Sequence, residues 1–114
     1  MTKFKVGDLV SIEFPFSDLQ ARKRRPGLVL AAGDLDLVVA RITTHPPRDP
    51  ADVSLTEWAQ VGFPCPSTVR LTKLATIDSR LVHHTIGRLR PADRRAVAQA
   101  WEGLAAAVAA QLRG

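Results

Sequence analysis

Arg22-Lys-Arg-Arg25 puts four cations in a row directly before Pro26, and Lys5, Arg70 and Lys73 add positive charge elsewhere. A guanidinium is planar, stays charged and can hold two phosphate oxygens at once. Thr43-Thr44 offers hydroxyls that can donate to a phosphate oxygen. Each feature alone has an ordinary explanation. Basic runs in loops are usually just solvated. Thr favours strands, so a Thr pair suits a strand end. Arg70 lies between Val69 and Leu71, as a solvent-facing strand residue would. His83 and His84 are adjacent, so a strand would point them to opposite faces, one packed and one exposed. They cannot form a metal pair from one face. His45 sits beside Pro46 and reads as a loop residue rather than a catalytic base. Cys65, between two prolines, reads as an inert small side chain, and Trp58 and Trp101 read as core. No paired carboxylates and no His cluster with ligand spacing point to a metal.

Composition narrows the class. The chain has 114 residues, 46% hydrophobic and 24% charged, which fits one small globular domain. Twelve of its 16 basic residues are Arg, against 11 acidic ones, so the net charge is +5. That balance favours a polyanionic or acidic partner without naming it. With one Cys, no internal disulfide and no Cys-based zinc site is expected. Met1 to Val6 lacks an apolar h-region, so no signal peptide is expected. The longest apolar stretch, Gly103 to Ala110, falls far short of the ~20 residues of a membrane helix. A soluble cytoplasmic protein is the expectation.

Positioning those residues requires mostly β-structure over 7–44. Val10, Ile12, Phe14 and Phe16 alternate with polar residues, as in a half-buried strand, and Pro15 ends regular pairing. Ser17 to Lys23 is polar and aperiodic, hence a loop. Leu28 to Leu30 reads as a buried strand, Gly33-Asp34 as a turn, and Leu37 to Ile42 as a third strand. The prolines of 45–50 exclude regular structure. Asp52 to Leu55 reads as a short strand, Thr56 to Gln60 as one helical turn ended by Gly62, and Phe63 to Pro66 as a stiff connector. Ser67 to Lys73, Thr76 to Ser79 and His84 to Leu89 read as separate strands. From Pro91, the stripe Val97, Trp101, Leu104, Val108 and Leu112 predicts an amphipathic helix, with Asp93 complementing its dipole. The whole reads as one domain over 1–114: a small antiparallel β-barrel over about 5–90, closed by a helix over about 91–112.

The segment Gly7-Asp-Leu-Val-Ser-Ile-Glu-Phe-Pro-Phe-Ser-Asp18, with the basic run to Arg25-Pro26 and Leu28-Val-Leu30, resembles the start of the MazF/PemK (Kid) toxins of bacterial toxin–antitoxin pairs. The likeness continues in register through Val38-Val-Ala-Arg-Ile-Thr-Thr44, Trp58 to Gly62, Pro66 to Leu74, Ala75-Thr-Ile-Asp78 and Ile86-Gly-Arg-Leu89. It implies an SH3-like barrel that forms a homodimer and cleaves single-stranded RNA at a short sequence without metal or cofactor. It also implies a cognate antitoxin, MazE-like or other, covering the same groove, and DNA binding together with it. By resemblance, Arg25 and Thr43 match the catalytic Arg and Thr. Phe16, Arg22, Lys23, Arg24, Thr44, Arg70 and Lys73 fall at RNA-binding positions, and Arg70 matches a basic residue implicated in RNA contact or acid catalysis in some members. The chain departs from some relatives in having Thr72 where they carry Asp, Arg24 where they carry His or Glu, and Gln20-Ala-Arg-Lys23 where Gly is common. The resemblance therefore leaves the general base unnamed. Two readings of other classes stand beside it: a gyrase poison like the CcdB toxins, which share the barrel, and an inactive RNA-binding module.

Arg25 and Thr43 must meet at one phosphate. Opposed residues of an antiparallel hairpin keep a constant number sum and share a face. A two-residue turn at Gly33-Asp34 would set Arg25 against Ile42 and send Thr43 to the other face. A three-residue turn or a bulge sets Arg25 against Thr43, their Cβ atoms ~4.5–5.5 Å apart. The expectation is the second register, with Arg41 on the face of Thr43.

Overall fold

The first strand buries both of its faces, where alternation alone predicts one. In the computed structural model, which describes residues 3–13 and 24–114, β1 spans Asp8–Glu13. Val10 and Ile12 join Phe4, Val29, Leu37, Val39 and Ile77 in one core cluster. Leu9 joins Leu28, Ala40, Ile42, Val53, Leu71, Leu89 and Val97 in another. Even Ser11, between them, is buried. A polar residue in the alternating pattern therefore does not mark a wet face here.

The other elements are β2 (Arg24–Ala32), β3 (Asp36–Thr43), β4 (Asp52–Ser54), β5 (Thr68–Asp78), a 3-10 turn (Ser79–Leu81), β6 (Val82–Arg88) and α1 (Pro91–Arg113). The strands form one antiparallel sheet in the order β4-β5-β3-β2-β1-β6. This is the expected mainly β architecture with a C-terminal helix. Among the described residues the sheet is open, with β4 and β6 at its edges.

β5 replaces two of the expected strands. Its pairing with β3 jumps from Arg41↔Arg70 to Ala40↔Leu74, leaving Leu71 to Lys73 without partners on β3. Leu71 N–H donates instead to Ala51 O at 3.1 Å. The odd number of inserted residues reverses the side-chain phase, so Val69 and Leu71 reach one cluster while Ile77 reaches the other. That reversal breaks the alternation into two apparent strands in the sequence.

The 56–60 segment is a turn rather than a helix. Val61 N–H donates to Glu57 O at 3.3 Å, and Phe63 N–H to Trp58 O at 2.9 Å. Gly62 closes it with φ +106, a left-handed conformation that favours glycine. Gly87 lets β6 approach, because a Cβ there would stand 2.9 Å from Val61 O.

Only the first half of the helix covers the fold, through Val97, Ala100 and Leu104. Val97 is buried and Leu104 half-buried, but Trp101 is 41% exposed, Val108 50% and Leu112 82%. Trp101 is thus not the core residue its place in the stripe predicts, whereas Trp58 is half-buried against the core. The helix is held by its first turn. Asp93, buried, accepts from Thr56 N–H at 2.9 Å, Thr56 Oγ1 at 2.8 Å and Glu57 N–H at 3.0 Å. Arg90 adds an ion pair with Glu57 at 2.9 Å. The dipole role expected of Asp93 is secondary to this tertiary anchor. No described helix is long and apolar enough to cross a membrane.

Candidate active site

A four-residue reversal with a bulge places the two principal residues. Ala32 pairs with Leu37, and Gly33 N–H donates to Asp36 O at 2.9 Å. The register then shifts between Val29 and Ala31 and runs through Val29↔Val39, Leu28↔Ala40 and Gly27↔Arg41. The β2–β3 pairing ends at Gly27↔Arg41, and its register, continued by two residues, points Arg25 towards Thr43 on the face shared by Arg41. Without the bulge at Leu30, the parity would separate them.

Arg25 and Thr43 line one cavity of about 550 Å3. Arg24, Pro26, Arg41 and Thr44 line it as well, so the start of β2 and the end of β3 supply one wall. The Gly62–Cys65 loop, with Ser11 and His84, supplies others. Thr43 Oγ1 accepts from His45 N–H at 3.2 Å, which fixes the chain as it leaves β3. Among the described residues, three guanidinium groups border the cavity and no Asp or Glu does, so it suits an anion. The lining draws on both parities of β2 and β3. Alternation therefore cannot sort their residues into site and scaffold.

The remaining expected RNA contacts divide. Arg24 and Thr44 are exposed at the cavity. Arg70 does not line it. Its Nε donates to Asp52 Oδ1 at 3.3 Å, and it is 18% exposed against 1% for Asp52. Asp52 also accepts from Arg48 N–H at 2.9 Å. A buried carboxylate needs such donors, so Arg70 has a structural task of its own. It nevertheless lies opposite Arg41 across β3 and β5, one strand from the cavity wall. Lys73 is exposed in the unpaired stretch of β5, away from the cavity. Phe16, Arg22 and Lys23, with Pro15 and the rest of the expected 17–23 loop, lie outside the described residues.

The histidines depart from expectation. β1 pairs Ser11 with His84 and Ile12 with Val82, so His83 has no partner on β1. That irregularity breaks the strict alternation. Both histidines are exposed, their rings edge to face at 5.3 Å. His84 and His45 line the cavity, and so does Cys65. Proximity to Thr43 was the one signal for His45; nothing local marks His84 or Cys65. Among the described residues, no three His, Cys, Asp or Glu gather as a metal site.

A family model described as PemK-like, MazF-like toxin of type II toxin-antitoxin system matches residues 5–102. No curated protein matches. Among solved structures, the chain resembles an endoribonuclease in complex with its cognate antitoxin from a mycobacterial species, at TM-score 0.66 and 17% identity, covering 82% of this chain and 86% of that one. It resembles the Mycobacterium tuberculosis toxin MazF-mt6 at TM-score 0.66 and 24% identity, over 82% of this chain and 90% of that one. A further Mycobacterium tuberculosis toxin aligns at TM-score 0.61 and 25% identity, over 79% of this chain and 93% of that one.

Proposed function

Because the chain belongs to the PemK-like, MazF-like toxins of type II toxin-antitoxin systems, we propose that it is an endoribonuclease acting on single-stranded RNA, with Arg25 and Thr43 at its catalytic centre. The observation that carries this reading is that both line one cavity, bordered among the described residues by three arginines and no carboxylate. In the proposed reaction the 2′-hydroxyl attacks the adjacent phosphorus, and the 5′-oxygen leaves. Charge builds on the non-bridging oxygens of the phosphorane. The Arg25 guanidinium meets two of them in its planar fork, in a site preorganised for that charge. Thr43 Oγ1 receives the His45 N–H, so its own proton remains available for a phosphate oxygen. Arg24 and Arg41 hold the flanking phosphates, and Thr44 adds a hydroxyl. These cations supply the charge stabilisation a metal ion would otherwise bring, so the proposed reaction proceeds in EDTA.

The proposal extends to partners. An antitoxin covers the same cavity and blocks RNA, in keeping with the neighbour solved with its cognate antitoxin. The 1–114 chain acts as one toxin domain, as a homodimer, in the cytoplasm where its RNA is found. Support for the homodimer comes from the apolar surface left open at Val6 and Trp101.

The test is incubation of the purified protein with a long single-stranded RNA in EDTA. Defined cuts by the wild type, lost in Arg25→Ala, support the reading. RNA binding without cuts would replace it with an inactive binding module.

A further inference from the structure

Cleavage by a 2′-hydroxyl requires two proton transfers. One proton leaves the attacking hydroxyl, and another reaches the departing 5′-oxygen. The arginines assigned to charge stabilisation do neither well, because a guanidinium keeps its proton across the working range. Hydroxyls are poor bases, and no carboxylate lines the cavity among the described residues. Among the described lining residues, imidazole is the group that most often serves as general base and general acid. His45 and His84 are those imidazoles.

They stand on different walls. His45 follows the end of β3, while His84 lies on β6, opposite Ser11 of β1. In the sheet, β2 and β1 separate β3 from β6. Both side chains line the cavity. In-line displacement needs a base and an acid that reach phosphorus from opposite sides, because the attacking and leaving oxygens lie on opposite sides of it, and imidazoles on two walls of one cavity can supply both.

We propose that His45 and His84 are the proton-transfer pair of this site. One, as free imidazole, takes the 2′-hydroxyl proton. The other, as imidazolium, gives a proton to the 5′-oxygen. The 2′-oxygen–phosphorus bond forms, the phosphorus–5′-oxygen bond breaks, and the products are a 2′,3′-cyclic phosphate and a free 5′-hydroxyl. No co-reactant is consumed. Among the described residues, the charged and titratable groups that share the cavity with the two imidazoles are Arg24 and Arg25 of β2, Arg41 of β3 and the Cys65 thiol, and the His83 ring stands against that of His84. The inference rests on the endoribonuclease reading.

Its test uses a short RNA spanning one mapped cut, in EDTA, with kcat followed against pH. The wild type is expected to give a bell-shaped profile. His45→Gln and His84→Gln should each lower kcat by about 10²–10⁴-fold and lose one limb of the bell. Affinity for the 2′-deoxy analogue, which lacks the nucleophile, should hold in both. A 5′-bridging sulfur leaves without a proton. It should restore the variant lacking the acid but not the one lacking the base, which assigns the two roles. Both limbs persisting in both variants, at near wild-type kcat, would overturn the pair and leave the endoribonuclease standing. No cleavage by the wild type at any pH would overturn the endoribonuclease and the pair together.

Discussion

Charge is handled in opposite ways at the cavity and at the root of α1. Asp93 is buried and its carboxylate takes three donors from Thr56 and Glu57. Asp52 is the same kind of site, holding Arg70 and the Arg48 amide. Around the cavity, Arg24, Arg25 and Arg41 have no carboxylate partner among the described residues. Charges satisfied inside the fold fix its geometry. Charges left open at a cavity provide for a ligand of opposite sign. The two regions therefore predict different kinds of damage.

The largest expected effect is on turnover. Arg25→Ala should lower RNA cleavage by about 10²–10³-fold, the scale for losing one donor to a developing oxyanion. Its thermal unfolding should match the wild type. A large fall in melting temperature would mean that Arg25 holds structure instead.

Asp93→Ala should behave in reverse. Removing the carboxylate strands the Thr56 and Glu57 amides, at a cost of about 3 kcal/mol in denaturant unfolding. Cleavage per folded molecule should change little. Unaltered stability would show that the root of α1 does not depend on this carboxylate.

Salt sharpens the contrast. If Arg24, Arg25 and Arg41 neutralise phosphates of one strand, log affinity for RNA should fall with log salt at about −0.7 per contact. Arg41→Gln should reduce that slope by about one contact. Arg70→Gln, removing a cation already held by Asp52, should change the slope less and the stability more. Equal slopes for the two variants would erase the distinction between open and satisfied arginines.

The smallest effect lies at the end of β5. Arg80 donates to the exposed Asp78 carboxylate and holds its pKa down to about 2, from 3.8. A lowered pKa stabilises the fold above the unfolded value, and that contribution is lost as pH falls from about 4 towards 2. Asp78→Asn should remove this part of the acid dependence and leave neutral-pH cleavage intact. Identical acid unfolding curves would show that the pair contributes nothing measurable, as for many surface pairs.

Most elements were legible because their signals are local. Alternation marks β1, the apolar run with its Gly marks β2 and its turn, and Pro91 with the 97–104 spacing marks α1. The order and spacing of short motifs pointed to Arg25 and Thr43. Their shared parity was legible only as a condition, a longer turn or a bulge, and the bulge at Leu30 fulfils it.

What the sequence by itself determined is most of the strands, the start of the helix and the identity of the charged groups, since backbone propensity and side-chain period act over a few residues. Only the tertiary structure decided that both faces of β1 are covered, that Asp93 serves Thr56 some 37 residues away, and that the last turns of α1 stay exposed. It also brought His45 and His84 to one cavity from opposite sides of β1 and β2. Register shifts in β2, β5 and β6 set which face the later side chains of those strands reach. A shift by an odd number of residues turns every later side chain to the other face, and the hydrogen bonds that favour it belong to the neighbouring strand.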